Sequence, residues 1–443
     1  MSSLSPYPLT SRRCGALKGD VTPPGDKSIS HRAVMLGGVA EGVTTVRGLL
    51  EGEDVLCTVA ALRELGAEIH KDANNIWQIK GTGLENLRPP SKALDMGNSG
   101  TAARLLIGLL AGRPFTSSFT GDASLCKRPM GRVITPLEQM GATFKSTEGK
   151  MPLSVTGAAQ PKAISYRLPV ASAQVKSAIL LAGLSVDGKT TVIESVPTRD
   201  HSENMLRCFG ASIAIEKLAD GAEAISVTGN PRLVAQNIVV PADPSSAAFP
   251  LVAALLRPDS HVMLRNVDIN PRRAGLIDTL IEMGAKITLT DQRQEGGEPV
   301  ADILAEGSAL KGITVPSERA PSMIDEYPVL AVAAACAEGT TRMKGLGELR
   351  VKESDRLSLM AEGLKLCGVK VEIDGDDLIV HGTGKPPAGG ATIETAMDHR
   401  IAMSFLVLGC AAEQPIRIDD GSFIATSFPD FVSLMNGIGA AIS

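Results

Sequence analysis

Aromatic residues are scarce in this 443-residue chain: they make up 3% of it, with one tryptophan (Trp77) and three tyrosines. Ligand recognition by stacked aromatic rings is therefore excluded as the main device. The core has to be built from Ala, Leu, Val, Ile and Met. Seven cysteines are scattered at positions 14, 57, 126, 208, 336, 367 and 410, without a CxxC pair or a neighbouring histidine cluster. That pattern excludes a disulfide scaffold and a zinc-finger-type site and reads as reduced thiols. The longest apolar runs, Val329–Ala337 and Ile401–Ala412, fall short of the roughly 18 residues a membrane helix needs. Arg12 and Arg13 have no apolar run behind them, so the start of the chain does not read as a secretory signal. The formal net charge of -5 argues against a nucleic-acid partner. These absences leave a cytoplasmic protein with neither membrane nor nucleic acid as partner.

What is present is repetition. The length suggests two or three domains. One signature recurs six times: an apolar residue, three more residues, Gly, a small residue, any residue, and then a β-branched or aromatic one. It occurs as Leu62-Arg-Glu-Leu-Gly66-Ala-Glu-Ile69 and Leu137-Glu-Gln-Met-Gly141-Ala-Thr-Phe144. It returns at Leu206–Ile213, Leu280–Ile287, Leu364–Val371 and, more loosely, Met435–Ile442. Each copy predicts the end of an amphipathic helix, a glycine at C′ and entry into a strand.

Upstream of each lies a helix apolar nearly all round, and hence buried. These helices open at Asp26–Ser28, Gly97–Thr101, Ala171–Gln174, Asp243–Ser246, Ser322–Asp325 and Asp398–Arg400. Strand pairs such as Ile76–Lys80 and Leu378–His381 complete units of roughly 70 to 80 residues. A lone unit cannot cover its own buried helix, so the expectation is two three-unit domains with helices inside and sheets outside. The boundaries expected are 27–240 for one domain and 1–26 with 241–443 for the other, joined by short crossings near Pro24 and Pro241 suited to hinge closure.

Helix N-termini carry unpaired N–H groups and a positive dipole end. Lys27, Ser28 and Arg32 in Gly25-Asp-Lys-Ser-Ile-Ser-His-Arg32 stand where cations are normally avoided, which points to a bound anion. Arg104, Arg128, Arg199, Lys352, Arg356 and Arg400 lie near other openings. Arginine suits a planar grip on phosphate or carboxylate. An acidic pair, Asp325 and Glu353, lies among these cations and can move protons. The alternative for Lys352-Glu-Ser-Asp-Arg356 is a solvated helix start. His201 and His261 have no partners at metal-ligand spacing, so no metal is expected, and His399 either touches an anion or caps its helix.

The chain resembles the 5-enolpyruvylshikimate-3-phosphate (EPSP) synthase family of enolpyruvyl transferases. The motifs that carry the resemblance are Pro24-Gly-Asp-Lys-Ser-Ile-Ser-His-Arg32, Gly97-Asn-Ser-Gly-Thr101 with Arg104, Lys127-Arg-Pro-Met-Gly131, Ser172-Ala-Gln174, Arg350-Val-Lys-Glu-Ser-Asp-Arg-Leu357 and Asp398-His-Arg-Ile-Ala-Met403. They stand in family order across nearly the whole chain. The resemblance implies an α/β (α+β) fold of two domains, each of three βαβαββ repeats in an inside-out α/β barrel, with substrates bound where the domains close. It also implies transfer of the enolpyruvyl group of phosphoenolpyruvate to the 5-hydroxyl of shikimate 3-phosphate, with no cofactor, in a chain expected to be a monomer.

By motif match, shikimate 3-phosphate falls to Lys27, Ser28, Arg32, Ser172, Ala173, Gln174, Arg199, Asp325 and Lys352. Phosphoenolpyruvate falls to Lys27, Gly100, Arg128, Gln174, Arg356 and Arg400. The implied chemistry has Glu353 as general acid and Asp325 or neutral Lys27 as base.

Two departures refine the match. Many members carry Ala-Lys-Thr-Phe-Pro near the C-terminus, where this chain has Ala425-Thr-Ser-Phe-Pro429. Together with Arg199 this resembles a divergent bacterial branch in which some members tolerate glyphosate. Tolerant members can carry alanine at the position of Gly100, so the retained glycine implies that glyphosate inhibits here. The sister transferases acting on UDP-N-acetylglucosamine usually have asparagine after the first lysine and a cysteine five residues before Arg-Pro. This chain has Ser28 and Ala123 at those places, and Cys126 reads as structural. A non-catalytic anion-binding protein on the same scaffold is the remaining alternative.

Overall fold

The six glycine signatures are six helix C-termini of one kind. Gly66, Gly141, Gly210, Gly284, Gly368 and Gly439 all have positive φ, between 82° and 109°. In each copy the residue after the glycine donates its N–H to the carbonyl of the apolar residue that begins the signature, as in Ala67 to Leu62 and Ala285 to Leu280, at 2.9–3.1 Å. This is the Schellman arrangement, which needs a left-handed residue at C′ and so selects glycine. The helices so ended are Glu53–Glu64, Gly131–Gln139, His201–Cys208, Gly275–Glu282, Arg356–Leu366 and Phe431–Gly437.

The computed structural model describes residues 6–443. Upstream of each outer helix runs a central one: α1 (Lys27–Val39), α2 (Gly100–Ala111), α3 (Ala173–Gly183), α4 (Pro244–Leu256), α5 (Tyr327–Cys336) and α6 (His399–Ala411). Most of their residues are buried on every face, as the uniform apolarity predicts. A fully buried Leu or Val contributes about 1.5–3 kcal/mol, so these helices supply most of the cohesion that the few aromatics do not. Where α2 crosses α3, a Cβ on Gly108 would fall 2.3 Å from the Ala178 carbonyl oxygen, so only glycine permits this approach.

Six four-stranded sheets accompany the helices, and all share one order. In the first, Asn237–Val239 pairs parallel with Val43–Arg47, which pairs antiparallel with Trp77–Lys80, and that strand pairs antiparallel with Glu68–Lys71. The same sequence of one parallel and two antiparallel neighbours recurs around Thr116–Thr120, Lys189–Glu194 and Glu338–Met343. The start of the chain fills gaps in two sheets made mainly by its second half. Lys18–Val21 runs parallel to His261–Asp268, and Leu9–Arg12 lies between Ile416–Ile418 and Ala441–Ile442.

The chain divides into two compact units, each with its own apolar core. One, here the Lys27 unit, comprises Gly25–Val240 and the turn Glu295–Glu298. The other, the Glu353 unit, takes the chain up to Pro24 with Pro241–Gln294 and Pro299–Ser443. Trp77 is buried in its strand, as a packing residue should be, although that strand starts at Trp77 rather than Ile76. No helix among the described residues is long and apolar enough to cross a membrane.

One element opens later than its sequence suggests. Ser322–Asp325 does not begin α5: Ala320–Met323 is a short helix of its own, and α5 starts at Tyr327. Each has a proline at its first turn, Pro321 and Pro328, a position that favours helix initiation.

Candidate active site

In the Lys27 unit the N-termini of α1, α2 and α3 are tied together by side chains. Asp26 caps α1 by accepting from the Ile29 N–H at 2.7 Å, Ser99 caps α2 at the Ala102 N–H, and Ser172 caps α3 at the Val175 N–H. His31 on α1 bonds Thr58 through Nδ1 (2.7 Å) and the cap Ser99 through Nε2 (3.2 Å). Burial, reinforced by the charges of Lys27 and Arg32, holds its pKa well below 6.5, so the ring is neutral.

Arg32 is buried one turn into α1. Its Nε donates to Ser202 Oγ at 2.7 Å, Nη2 to Ser177 Oγ on α3 at 2.9 Å, and Nη1 to the Ser28 carbonyl. Burial lowers its pKa to about 10, opposed by the charges of Glu203, Asp26 and Glu298 and reinforced by that of Arg199. The guanidinium stays charged at neutral pH. Lys27, half-buried at the first position of α1, forms a close ion pair with Asp54.

At the start of α2, Arg104 donates to Gln174 Oε1 at 2.7 Å, and Gln174 donates to Thr101 Oγ1 at 2.9 Å, joining α2 to α3. Arg128, just ahead of the outer helix Gly131–Gln139, reaches Asn98 Oδ1 at 2.5 Å. Gly100 lies under both arginines. A Cβ there would come within 2.7 Å of Arg104 Nη1 and 3.2 Å of Arg128 Nη1. Lys27, Ser28, Arg32, Gly100, Arg128, Ser172, Ala173, Gln174 and Arg199 thus all belong to this unit.

The Glu353 unit holds Asp325, Lys352, Glu353, Arg356 and Arg400. Arg356, 1% exposed, is enclosed by carboxylates: Nε to Asp398 at 2.8 Å, Nη2 to Glu353 at 2.5 Å and Nη1 to Asp325 at 3.2 Å. Burial disfavours its charge, but Asp398, Glu353 and Asp325 more than reverse that and raise its pKa. Burial likewise favours a neutral Asp398, and the Arg356 charge overcomes it, leaving this carboxyl below the ordinary value of 3.8. Lys352 stands 3.6 Å from Asp325, and Arg400 donates to the Asp325 carbonyl at 3.2 Å.

A second buried arginine, Arg273, ties Asp243, the cap of α4, to Glu326, the cap position of α5, at 2.9 and 3.1 Å. Glu326 also bonds Ser245.

Two sequence expectations change here. Arg128 and Arg199 precede outer helices and Arg356 begins one, so outer helix N-termini, not only buried ones, carry these arginines. The cap of α6 is Asp398, not His399. His201 is buried and bonds Glu298 at 2.9 Å. The sequence reading passed over Asp54, Asn98, Arg273 and Glu326, whose partners lie 27 to 81 residues away. Of these, Asn98 lies inside the motif Gly97–Thr101 and Glu326 in the acidic run Asp325-Glu326 at a helix opening, while Asp54 and Arg273 carried no local signal.

Chemically, the first cluster is a cationic cradle of three helix N-termini with arginine forks, suited to a polyanion. The second presents two carboxylates at partly exposed positions, aligned by one buried arginine and suited to moving protons.

The family model for EPSP synthase (3-phosphoshikimate 1-carboxyvinyltransferase) matches residues 12–435. A 3-phosphoshikimate 1-carboxyvinyltransferase from Paramagnetospirillum magneticum is 61% identical over 98% of both chains, and one from Rhodospirillum rubrum is 59% identical over 99% of both. An EPSP synthase structure from Acinetobacter baumannii superposes with a TM-score of 0.87 at 48% identity, covering 98% of this chain and 99% of that one. The enolpyruvyl transferase NikO from Streptomyces tendae, at 18% identity and a TM-score of 0.77, shares the fold. By family model, sequence identity and fold, the chain belongs to the EPSP synthase family.

Proposed function

We propose that this chain transfers the enolpyruvyl group of phosphoenolpyruvate to the 5-hydroxyl of shikimate 3-phosphate and releases phosphate. The observation that carries the reading is the pairing of Glu353 and Asp325 on one buried arginine, in a chain whose other unit gathers cations at helix openings. Shikimate 3-phosphate is assigned to Ser28, Arg32, Ser172, Ala173, Gln174, Arg199, Asp325 and Lys352. The charges of phosphoenolpyruvate are assigned to Arg128, Arg400 and Arg356, with Gly100 and Gln174 beside them. Arg356 reaches this anion only if one of its carboxylate bonds opens. Lys27, ion-paired with Asp54, serves both substrates.

In the addition step protonated Glu353 delivers its proton to the methylene carbon of phosphoenolpyruvate, and the 5-hydroxyl oxygen attacks the adjacent carbon while Asp325 takes the hydroxyl proton. In the elimination step Glu353 recovers a proton from the new methyl group, the carbon–oxygen bond to phosphate breaks, and the departing phosphate takes the proton held by Asp325. Orientation and fixed charge supply the acceleration, and the chain's own residues suffice for every transfer.

The same reading has the chain acting as a cytoplasmic monomer and glyphosate competing with phosphoenolpyruvate over Gly100. Phosphate release from phosphoenolpyruvate is the direct test. Release with shikimate 3-phosphate but not with UDP-N-acetylglucosamine is expected. Release with only the latter would place the chain with the sister transferases, and release with neither would make it an anion-binding protein.

A further inference from the structure

Lys176 has no part in the chemistry above, yet it is completely buried on α3, two residues beyond Gln174, between two carboxylates that are also completely buried. Its Nζ lies 3.0 Å from Glu194, the last residue of the strand Lys189–Glu194, and 2.7 Å from Glu203 in the helix His201–Cys208. It also donates to the Thr198 carbonyl at 3.4 Å. Glu194 in turn accepts from the Thr198 N–H at 3.2 Å and from its hydroxyl at 2.7 Å. All three polar groups of Thr198 are therefore held by one buried ion cluster, and the next residue is Arg199.

Placing three ionised groups out of water is costly unless they are paired and hydrogen-bonded, so the cluster has no advantage over an apolar core as a source of stability. What it does provide is geometry. The segment 195–200 leaves a strand at Glu194 and enters a helix after Asp200, and both of its flanks are anchored to the same ammonium. Arg32 bonds Ser177 and Ser202, the sequence neighbours of Lys176 and Glu203, and Glu203 is the leading charge opposing its burial, with the charge of Arg199 felt at the same guanidinium.

We propose that Lys176 is a positioning residue that, through Glu194, Glu203 and Thr198, fixes the 195–200 segment so that Arg199 is presented beside Arg32 to the phosphorylated substrate. This rests on the reading that Arg199 binds shikimate 3-phosphate.

Thr198→Val tests it without stranding a buried charge. Equilibrium binding of shikimate 3-phosphate should weaken about tenfold, the effect of losing one hydrogen bond to a charged group. KM for phosphoenolpyruvate should stay within about twofold, and Thr198→Ser, which keeps the hydroxyl, should restore binding. In an Arg199→Ala background Thr198→Val should have no further effect, because its action passes through Arg199. Losses that multiply in the double variant would overturn the proposal.

Hydrogen exchange separates this from the substrate assignment. Thr198→Val and Lys176→Met should both speed exchange across 195–200, and unchanged exchange in either folded variant would overturn the role of Lys176. Unaltered shikimate 3-phosphate binding in Arg199→Ala alone would instead refute the assignment of Arg199, and with it the presentation of that residue to substrate.

Discussion

The two units share helices, sheet order and glycine turns, yet their helix openings carry opposite chemistry. Around α1–α3 buried Arg32 is held directly by hydroxyls and a carbonyl, Arg104 and Arg128 donate to side-chain amide oxygens, and Lys27 pairs with the carboxylate of Asp54. Around α4–α6 the buried arginines, Arg273 and Arg356, are each surrounded by carboxylates. The first cluster thus meets its arginines with neutral oxygens, while the second uses its buried arginines to hold carboxylates. A repeated scaffold fixes where helix N-termini gather, and the side chains placed there decide whether the cluster binds or transfers protons.

The sharpest way to test this contrast is through the two buried arginines. Arg356→Met should cost about 3–5 kcal/mol, because Asp398 is left as an unpaired buried carboxylate. Arg32→Met should cost only about 1–3 kcal/mol, the loss of hydrogen bonds to neutral oxygens. Urea unfolding of both variants measures the difference, and equal losses would erase the distinction between the units.

Next in size is Lys27→Ala, expected to lower kcat/KM about 100-fold, or about 3 kcal/mol of transition-state stabilisation, in steady-state assays varying each substrate. An effect confined to one substrate's KM would restrict Lys27 to that substrate.

The neutral histidine gives a pH signature. In the folded chain His31 titrates well below 6.5, whereas unfolding returns it to an ordinary value. Below that ordinary value the unfolded state binds the additional proton, so stability is full above about pH 6.5 and falls with falling pH, at up to about 1.4 kcal/mol per unit from this group. His31→Gln should flatten this part of the stability–pH curve. Asp398, with its depressed pKa, adds a separate loss below its ordinary 3.8, again in the acid direction.

The smallest effect expected is from Gly100→Ala. Its methyl meets the movable ends of Arg104 and Arg128, so the fold should be unaffected within about 1 kcal/mol. The glyphosate inhibition constant should rise more than KM for phosphoenolpyruvate. Equal inhibition constants in the two proteins would remove Gly100 from the anion site.

Much of this was legible from residue order because the signals were local. A Schellman turn needs its glycine five residues from strand entry at most, so six copies announced six helix ends. The cap residues Asp26, Ser99, Ser172 and Asp243 act within three residues of themselves. What escaped was long-range. Nothing near Lys27 announces Asp54, and nothing near Arg273 announces Glu326, because these pairs exist only once separate helices pack. The fifth opening was misplaced for a local reason, two prolines seven residues apart each starting a helix. Glu353, readable alone as a solvated helix start, acquires its role from Arg356 three positions on, whose other partners, Asp325 and Asp398, lie 31 and 42 residues distant.

The division of labour between the units is tested most directly by equilibrium binding and turnover in Glu353→Gln set beside Arg32→Met. The amide keeps the size of Glu353 but cannot deliver its proton, so Glu353→Gln should bind shikimate 3-phosphate within about twofold of the parent while kcat falls about 100-fold. Arg32→Met should show the reverse emphasis, with binding lost first. If Glu353→Gln weakens shikimate 3-phosphate binding as much as Arg32→Met does, with kcat retained at saturation, Glu353 holds substrate rather than moving a proton and the account is wrong.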